Sequence, residues 1–177
     1  MYDVHAFVTP RVHMNAANDH TFLFADLVGY TSFTEQVGDD AAADVAVAFQ
    51  ERAERLAATY DCDVIKKLGD AVMIHGENAA RVVALALRLR REIAQEGQYP
   101  PLRMGVHSGS AVQREGDWYG ATVNIAARVA DAAGAGEILL SLTTRERITR
   151  AGVTIADRGA RRFKNVTAPL ALFAAAA

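Results

Sequence analysis

Phe22-Leu23-Phe24-Ala25-Asp26-Leu27-Val28-Gly29-Tyr30-Thr31-Ser32-Phe33-Thr34-Glu35 reads as a short apolar strand that ends in a carboxylate, passes a glycine and opens a helix. Leu23, Ala25 and Leu27 alternate with Phe22, Phe24 and Asp26, and only Asp26 is polar, as expected of a strand covered on both faces. Ser32 followed by Glu35 has the spacing of a capping box and predicts a helix start there. A helix that begins after a strand points unpaired backbone N–H groups into the corner that holds Asp26, and such groups bind phosphate. A carboxylate beside them can hold a divalent metal that the phosphates also need. The first expectation is therefore a metal–polyphosphate site; the alternative on this stretch alone is an ordinary strand–loop–helix turn with an exposed Asp.

The rest of the chain gives that corner a partner. Val64–Leu68 and Ala71–His75 read as two strands around a tight Gly69-Asp70 turn. Residues 40–60 suit a long helix, and 78–96 a second one with Val82, Ala86, Leu89 and Ile93 on one face. Leu102 to Val112 reads as a strand, Glu115-Gly116-Asp117 as a turn, and about 121–133 as a helix stopped by Gly134-Ala135-Gly136. Glu137–Ser141 predicts a strand, 143–150 a short helix and 153–155 a further strand. Arg161–Lys164 and Leu170–Phe173 predict a closing hairpin with Pro169 near its bend. The order β-α-α-β-β-α-β begins with the split β-α-β of ferredoxin-like folds. The fold class expected is α+β, a ferredoxin-like βαββαβ sandwich with C-terminal additions. In it the first and third strands lie side by side and antiparallel, so Asp26 at the end of one meets Asp70 at the start of the other. Two carboxylates at one corner can hold two divalent metals roughly 3.5–4 Å apart.

Bulk properties narrow the class. A chain of 177 residues is long enough for one domain with a substantial core, and 51 % hydrophobic with 23 % charged residues fits a soluble globular protein. The net charge of −2 does not point to a nucleic-acid or membrane-surface binder. The single cysteine, Cys62, excludes an intrachain disulfide and favours a reducing compartment. No apolar run approaches the ~20 residues of a membrane span. A cytoplasmic location is expected, with residues 1–20 as an N-terminal arm and 21–177 as the domain.

With Asp26 and Asp70 both in view, the chain resembles the class III adenylyl and guanylyl cyclases. The likeness is carried by Phe24–Thr31, Lys66-Lys67-Leu68-Gly69-Asp70, Gly105-Val106-His107-Ser108-Gly109, Asp117–Arg128 and Phe163-Lys164-Asn165-Val166, five pieces in order from about Thr21 to Phe173. The resemblance implies a class III nucleotidyl cyclase fold in which Asp26 and Asp70, with Leu27 beside them, bind two divalent ions, Mg2+ or Mn2+. It implies that Val28, Gly29, Tyr30 and Thr31 approach the phosphates and that Lys164 contacts them. It casts Lys66 and Asp117 as the base readers, Asn124 as the residue that orients the ribose and Arg128 as the one that stabilises transition-state charge. The chemistry of the pair suits adenine, whose edge offers an acceptor at N1 and a donor at N6, because lysine only donates and aspartate only accepts. Asn124 and Arg128, four apart on a helix, share a face, and a guanidinium can give two parallel bonds to phosphate. Lys67 is adjacent to Lys66, so the choice between them rests on the motif register.

The implied activity is adenylate cyclase, ATP to 3′,5′-cyclic AMP and pyrophosphate. The alternatives are a guanylate cyclase or a catalytically silent nucleotide-binding domain. In this family the metal and base-reading residues of one site come from different subunits, so a head-to-tail homodimer is implied, with ATP as substrate and neither nucleic acid nor membrane as partner. His107, in an apolar strand, reads as a hydrogen-bonded core residue, and Trp118 and Tyr119 as packing residues at the core or dimer seam.

Overall fold

The computed structural model describes residues 19–148 and 152–176. Of the expected arm, residues 1–18 lie outside the described residues, whereas Asp19 and His20 belong to the first strand. The elements are β1 (Asp19–Leu27), α1 (Tyr30–Val37), α2 (Asp39–Thr59), β2 (Asp63–Leu68), β3 (Ala71–Gly76), α3 (Ala79–Glu96), β4 (Leu102–Ser110), β5 (Val112–Arg114), β6 (Asp117–Tyr119), α4 (Ala121–Asp131), β7 (Ile138–Ser141), α5 (Leu142–Arg147), β8 (Thr154–Arg161) and β9 (Leu170–Ala176).

Seven strands form one sheet in the order β2-β3-β1-β4-β7-β9-β8, and β5 and β6 make a separate hairpin. The first four positions are the ferredoxin-like unit, with β1 antiparallel to both β3 and β4. β7 extends the sheet by pairing parallel to β4, and the β8–β9 hairpin completes it. This is the α+β fold that the strand order implied.

The alternation in β1 explains its central place. Leu23, Ala25 and Leu27 enter one buried cluster with Phe49 and Leu56 of α2 and Leu85 and Leu89 of α3. Phe22 enters a second cluster on the other face with Met73, Trp118 and Ala126 of α4. α2, α3 and α4 each turn a periodic apolar stripe to the sheet, as Ala42, Ala46, Phe49, Ala53 and Leu56 do in α2. Asn78 caps α3 by accepting from the Arg81 N–H.

One contact fixes the height of α4. A Cβ built on Gly105 in β4 would lie 2.0 Å from the backbone nitrogen of Ala130, so only glycine lets that helix rest directly on the strand.

Four local expectations need correction. Ser32 and Glu35 form no capping box: α1 starts at Tyr30, after Gly29 in the left-handed region (φ 73°), with no side-chain cap. The strand expected over 102–112 ends at Ser110, and Val112 begins the β5–β6 hairpin. The helix expected over 121–133 ends at Asp131. The closing hairpin pairs Thr154–Arg161 with Leu170–Ala176, so Arg162–Lys164 lie in the connection and not in a strand.

Candidate active site

The corner around Asp26 is built by backbone pairing. Asp26 is opposite Ala71 on one side and Arg103 on the other. The Leu27 N–H donates to the Asp70 carbonyl at 3.1 Å, which ties the end of β1 to the turn before β3. Gln50 steadies the same turn from α2, its side-chain amide donating to the Gly69 carbonyl at 2.6 Å. The two carboxyl groups are close enough to act on each other. Burial, and after it the charge of Asp26, hold the Asp70 carboxyl above the usual carboxylate range.

Arg103 was not among the residues singled out from the sequence. Its Nε and Nη2 donate to Asp26 Oδ2 at 2.6 and 2.5 Å, and Nη2 lies 3.7 Å from Asp131. The signal for it is register: Leu102 pairs with Leu27, so the next residue must face Asp26.

The segment after Asp26 splits into used and open groups. The Val28 N–H is spent on the Pro101 carbonyl at 2.8 Å. The Tyr30 hydroxyl donates to the Ala42 carbonyl at 2.7 Å, so its ring serves the α1–α2 contact. Gly29 and Thr31 are exposed, and the first N–H groups of α1 have no acceptor within the helix.

Lys66 and Asp117 are brought together. Lys66 Nζ lies 2.7 Å from Asp117 Oδ2, and the Trp118 backbone N–H donates to Asp117 Oδ1 at 2.8 Å. The hydrogen bond from Lys66 is the main cause that holds the Asp117 carboxyl below its ordinary value. The alternation of β2 separates the two lysines that the sequence left side by side. Lys67 reaches the opposite way, to Glu54 of α2 at 2.7 Å.

Asn124 and Arg128 line one cleft of about 410 Å³ with Asn165 and Thr167 from the loop before β9. Lys164 is exposed and immediately precedes that loop, though it does not line the cleft. Asn165 takes a positive φ of 64°, which Asn tolerates better than most residues. A larger cleft of about 600 Å³ lies against α3 and contains none of these residues.

The donor set suits a hard cation. Two neighbouring oxygen-only groups, one of them with its pKa raised, are what a divalent ion relieves. Among the described residues no group of three or more His, Cys, Asp or Glu side chains is placed to hold a metal ion, so an ion at this corner would draw further ligands from water or phosphate oxygens.

Comparison with known proteins decides the family. Residues 12–171 match the family described as Adenylate and Guanylate cyclase catalytic domain. The chain belongs to that family. This cyclase domain is 35 % identical over 161 residues to a pH-sensitive adenylate cyclase of Mycobacterium tuberculosis, covering 89 % of this chain and 40 % of that protein. It is 32 % identical over 154 residues to an adenylate cyclase of Streptomyces griseus, covering 83 % and 38 %. It therefore spans about two fifths of the length of these relatives. Among solved structures, the adenylyl cyclase CyaB from P. aeruginosa superposes with a TM-score of 0.79 at 23 % identity, covering 90 % of this cyclase domain and 94 % of that chain. Likeness at that identity speaks for the fold. No described helix of the cyclase domain is long and apolar enough to cross a membrane.

Proposed function

We propose that this cyclase domain is an adenylate cyclase that converts ATP to 3′,5′-cyclic AMP and pyrophosphate. The observation that carries the choice of ATP is the Lys66–Asp117 pair, 2.7 Å apart, which sets a donor beside an acceptor as the adenine edge requires. The adenylate cyclase relatives at 32–35 % identity support the same choice.

Asp26 and Asp70, with the Leu27 backbone, would hold two divalent ions, Mg2+ or Mn2+. When bound, such ions favour the deprotonated ribose 3′-hydroxyl and offset the charge of the triphosphate. The protein side of the reaction is positioning and charge. Lys66 donates to adenine N1 and Asp117 accepts from N6. Asn124 orients the ribose, so that its 3′-oxygen faces the α-phosphorus in line with the departing pyrophosphate. Arg128 donates paired hydrogen bonds to the phosphate oxygens as negative charge shifts onto them. The backbone of Gly29–Thr31 at the start of α1 receives the triphosphate, and Lys164 adds charge at its outer end. No side-chain nucleophile is needed, because the ribose oxygen is the nucleophile. The single thiol and the ATP substrate both fit a cytoplasmic location.

The site is shared between two copies of the chain in a head-to-tail homodimer, the metal corner from one and the base readers with α4 from the other. Support comes from the apolar side chains left open near the base readers: Leu68 is 51 % exposed, Val112 49 % and Tyr119 55 %.

Mixing tests the assignment. Asp26→Ala and Arg128→Ala chains should each be inactive alone. An equal mixture should recover about a quarter of wild-type activity, since half the dimers are hybrids and each hybrid has one intact site of two. A mixture as inactive as its parts would overturn the shared site. Product analysis with ATP and GTP in Mn2+ checks the base: predominant cyclic GMP would make the chain a guanylate cyclase, and no product from either would make it a silent nucleotide-binding domain.

A further inference from the structure

Asp117 opens a strand of three residues whose partner β5 is equally short and exposed. A two-stranded hairpin of that size does not hold a side chain still by itself. Its anchor is the next residue. Trp118 is 8 % exposed and packs against three rings of the main sheet. His75 stacks on it at 4.4 Å between ring centroids with a 25° tilt, His20 lies at 4.3 Å, and Phe22 meets it edge-on at 5.7 Å.

His20 and His75 stand on adjacent strands, and their Nδ1 and Nε2 atoms are 3.0 Å apart. One ring must donate and the other accept, which fixes both ring planes. Burial first, and then the neighbouring His20, push the His75 pKa below its ordinary value against the pull of Asp63 and Glu77, which favours the uncharged His75 ring. The Trp118 indole N–H is buried with no hydrogen-bond partner among the described residues. Ring contact and not a polar bond therefore orients Trp118. From there the link to the base reader is direct: the Trp118 backbone N–H holds Asp117 Oδ1 at 2.8 Å, and Asp117 Oδ2 holds Lys66 at 2.7 Å.

We propose that Trp118, clamped by the His20–His75 pair, is the positioning residue that sets Asp117 for base selection. The two histidines act through it and touch no substrate. This rests on the reading of Lys66 and Asp117 as the adenine readers. The carboxylate corner lies apart from the clamp, and α4 meets Trp118 through Ala126 but touches neither histidine ring, so loosening the clamp at His75 should cost discrimination at the N6 position and leave the chemical step intact.

Purine riboside triphosphate keeps adenine N1 and lacks the N6 amino group, so the ratio of kcat/KM for ATP to that for this analogue reports on Asp117. The assay uses the full chain with Mn2+ at pH 7.5. Asp117→Ala should bring the ratio close to one. His75→Gln, whose amide can reach His20 but which has no ring, should lower the ratio about tenfold, the size of one hydrogen bond to a charged group. Its kcat on the analogue should stay within about twofold of wild type. His75→Phe restores the ring and should restore the ratio. Trp118→Leu should match His75→Gln in the ratio; if it does not fold, the two His75 variants decide alone. A ratio unchanged in His75→Gln while Asp117→Ala abolishes it would overturn the clamp and leave the base reading standing. Equal losses of kcat on both nucleotides would overturn it too, as the mark of a merely structural role. A ratio that Asp117→Ala does not move would instead bring down the base reading.

Discussion

Acidification should unlock the core at His107. The residue is 7 % exposed, and its Nδ1 lies 2.7 Å from the Ser141 hydroxyl and 3.3 Å from that of Thr143. Burial, helped by the positive charge of Arg147, pushes the imidazole pKa down from 6.5 to about 4. The unfolded chain therefore takes up a proton that the folded chain refuses. Stability from this group is complete above pH 6.5, falls as pH drops, and levels off below about 4. The gap between the two values, at about 1.4 kcal/mol per pH unit, comes to about 3 kcal/mol. That is a large part of the roughly 5–15 kcal/mol that holds a domain together, and for a chain of this size it corresponds to about 10 °C in Tm. The check is urea unfolding followed by circular dichroism at pH 7.5 and pH 4.0, on wild type and on His107→Asn. The asparagine amide can keep the bond to Ser141 but cannot titrate. Carboxylates and the other histidines contribute to both proteins and cancel in the comparison. Wild type should lose about 3 kcal/mol more than the variant between the two pH values. Equal losses would refute the assignment of a buried, neutral His107.

Arg103 shares Asp26 with any cation that binds there, so Arg103→Ala should be less stable without metal but gain more from Mn2+ than wild type, by about 1 kcal/mol or 3 °C in thermal shift; identical Mn2+ shifts would sink the idea. Gly105→Ala puts a methyl group against the α4 backbone, where nothing flexible can give way. It should cost about 1–3 kcal/mol by urea unfolding, and an unchanged midpoint would show that α4 does not rest on this strand. Burial, reinforced by Asp61 and Asp63, raises the Cys62 thiol to about 11. A disulfide reagent at pH 8 should leave it unlabelled until urea is added, and immediate labelling of the native protein would contradict this.

The parts of the fold legible in the sequence are those governed by local pattern. The two-faced strand Phe22–Leu27, the Gly69-Asp70 turn and the split β-α-β order together bring Asp26 to Asp70, because that order sets β1 antiparallel beside β3. What the sequence hid depends on register or on backbone angles. Arg103 is unremarkable until β1 and β4 are aligned. The start of α1 was misplaced because Gly29, by taking φ 73°, ends the strand turn early and leaves Ser32 inside the helix. The last hairpin was misread because Ala156-Asp157-Arg158-Gly159 has low strand propensity, and its strand survives only through an irregularity between Asp157 and Ala160 around Gly159 at φ 73°. Lys66 and Lys67 look alike in the sequence and differ in their partners, Asp117 on one face and Glu54 on the other.

Lys66 and Asp117 satisfy each other before any nucleotide arrives. On the proposed reading, a ring that enters between them would replace a bond already made and not fill a void. A ring whose acceptor meets Lys66 and whose donor meets Asp117 would restore what it interrupts, while one that presents them in reversed positions, or offers only one, would strand a charge. Selectivity of this kind works by forfeit: the wrong visitor is turned away by what the protein would lose, and the right one gains little more than permission to stay.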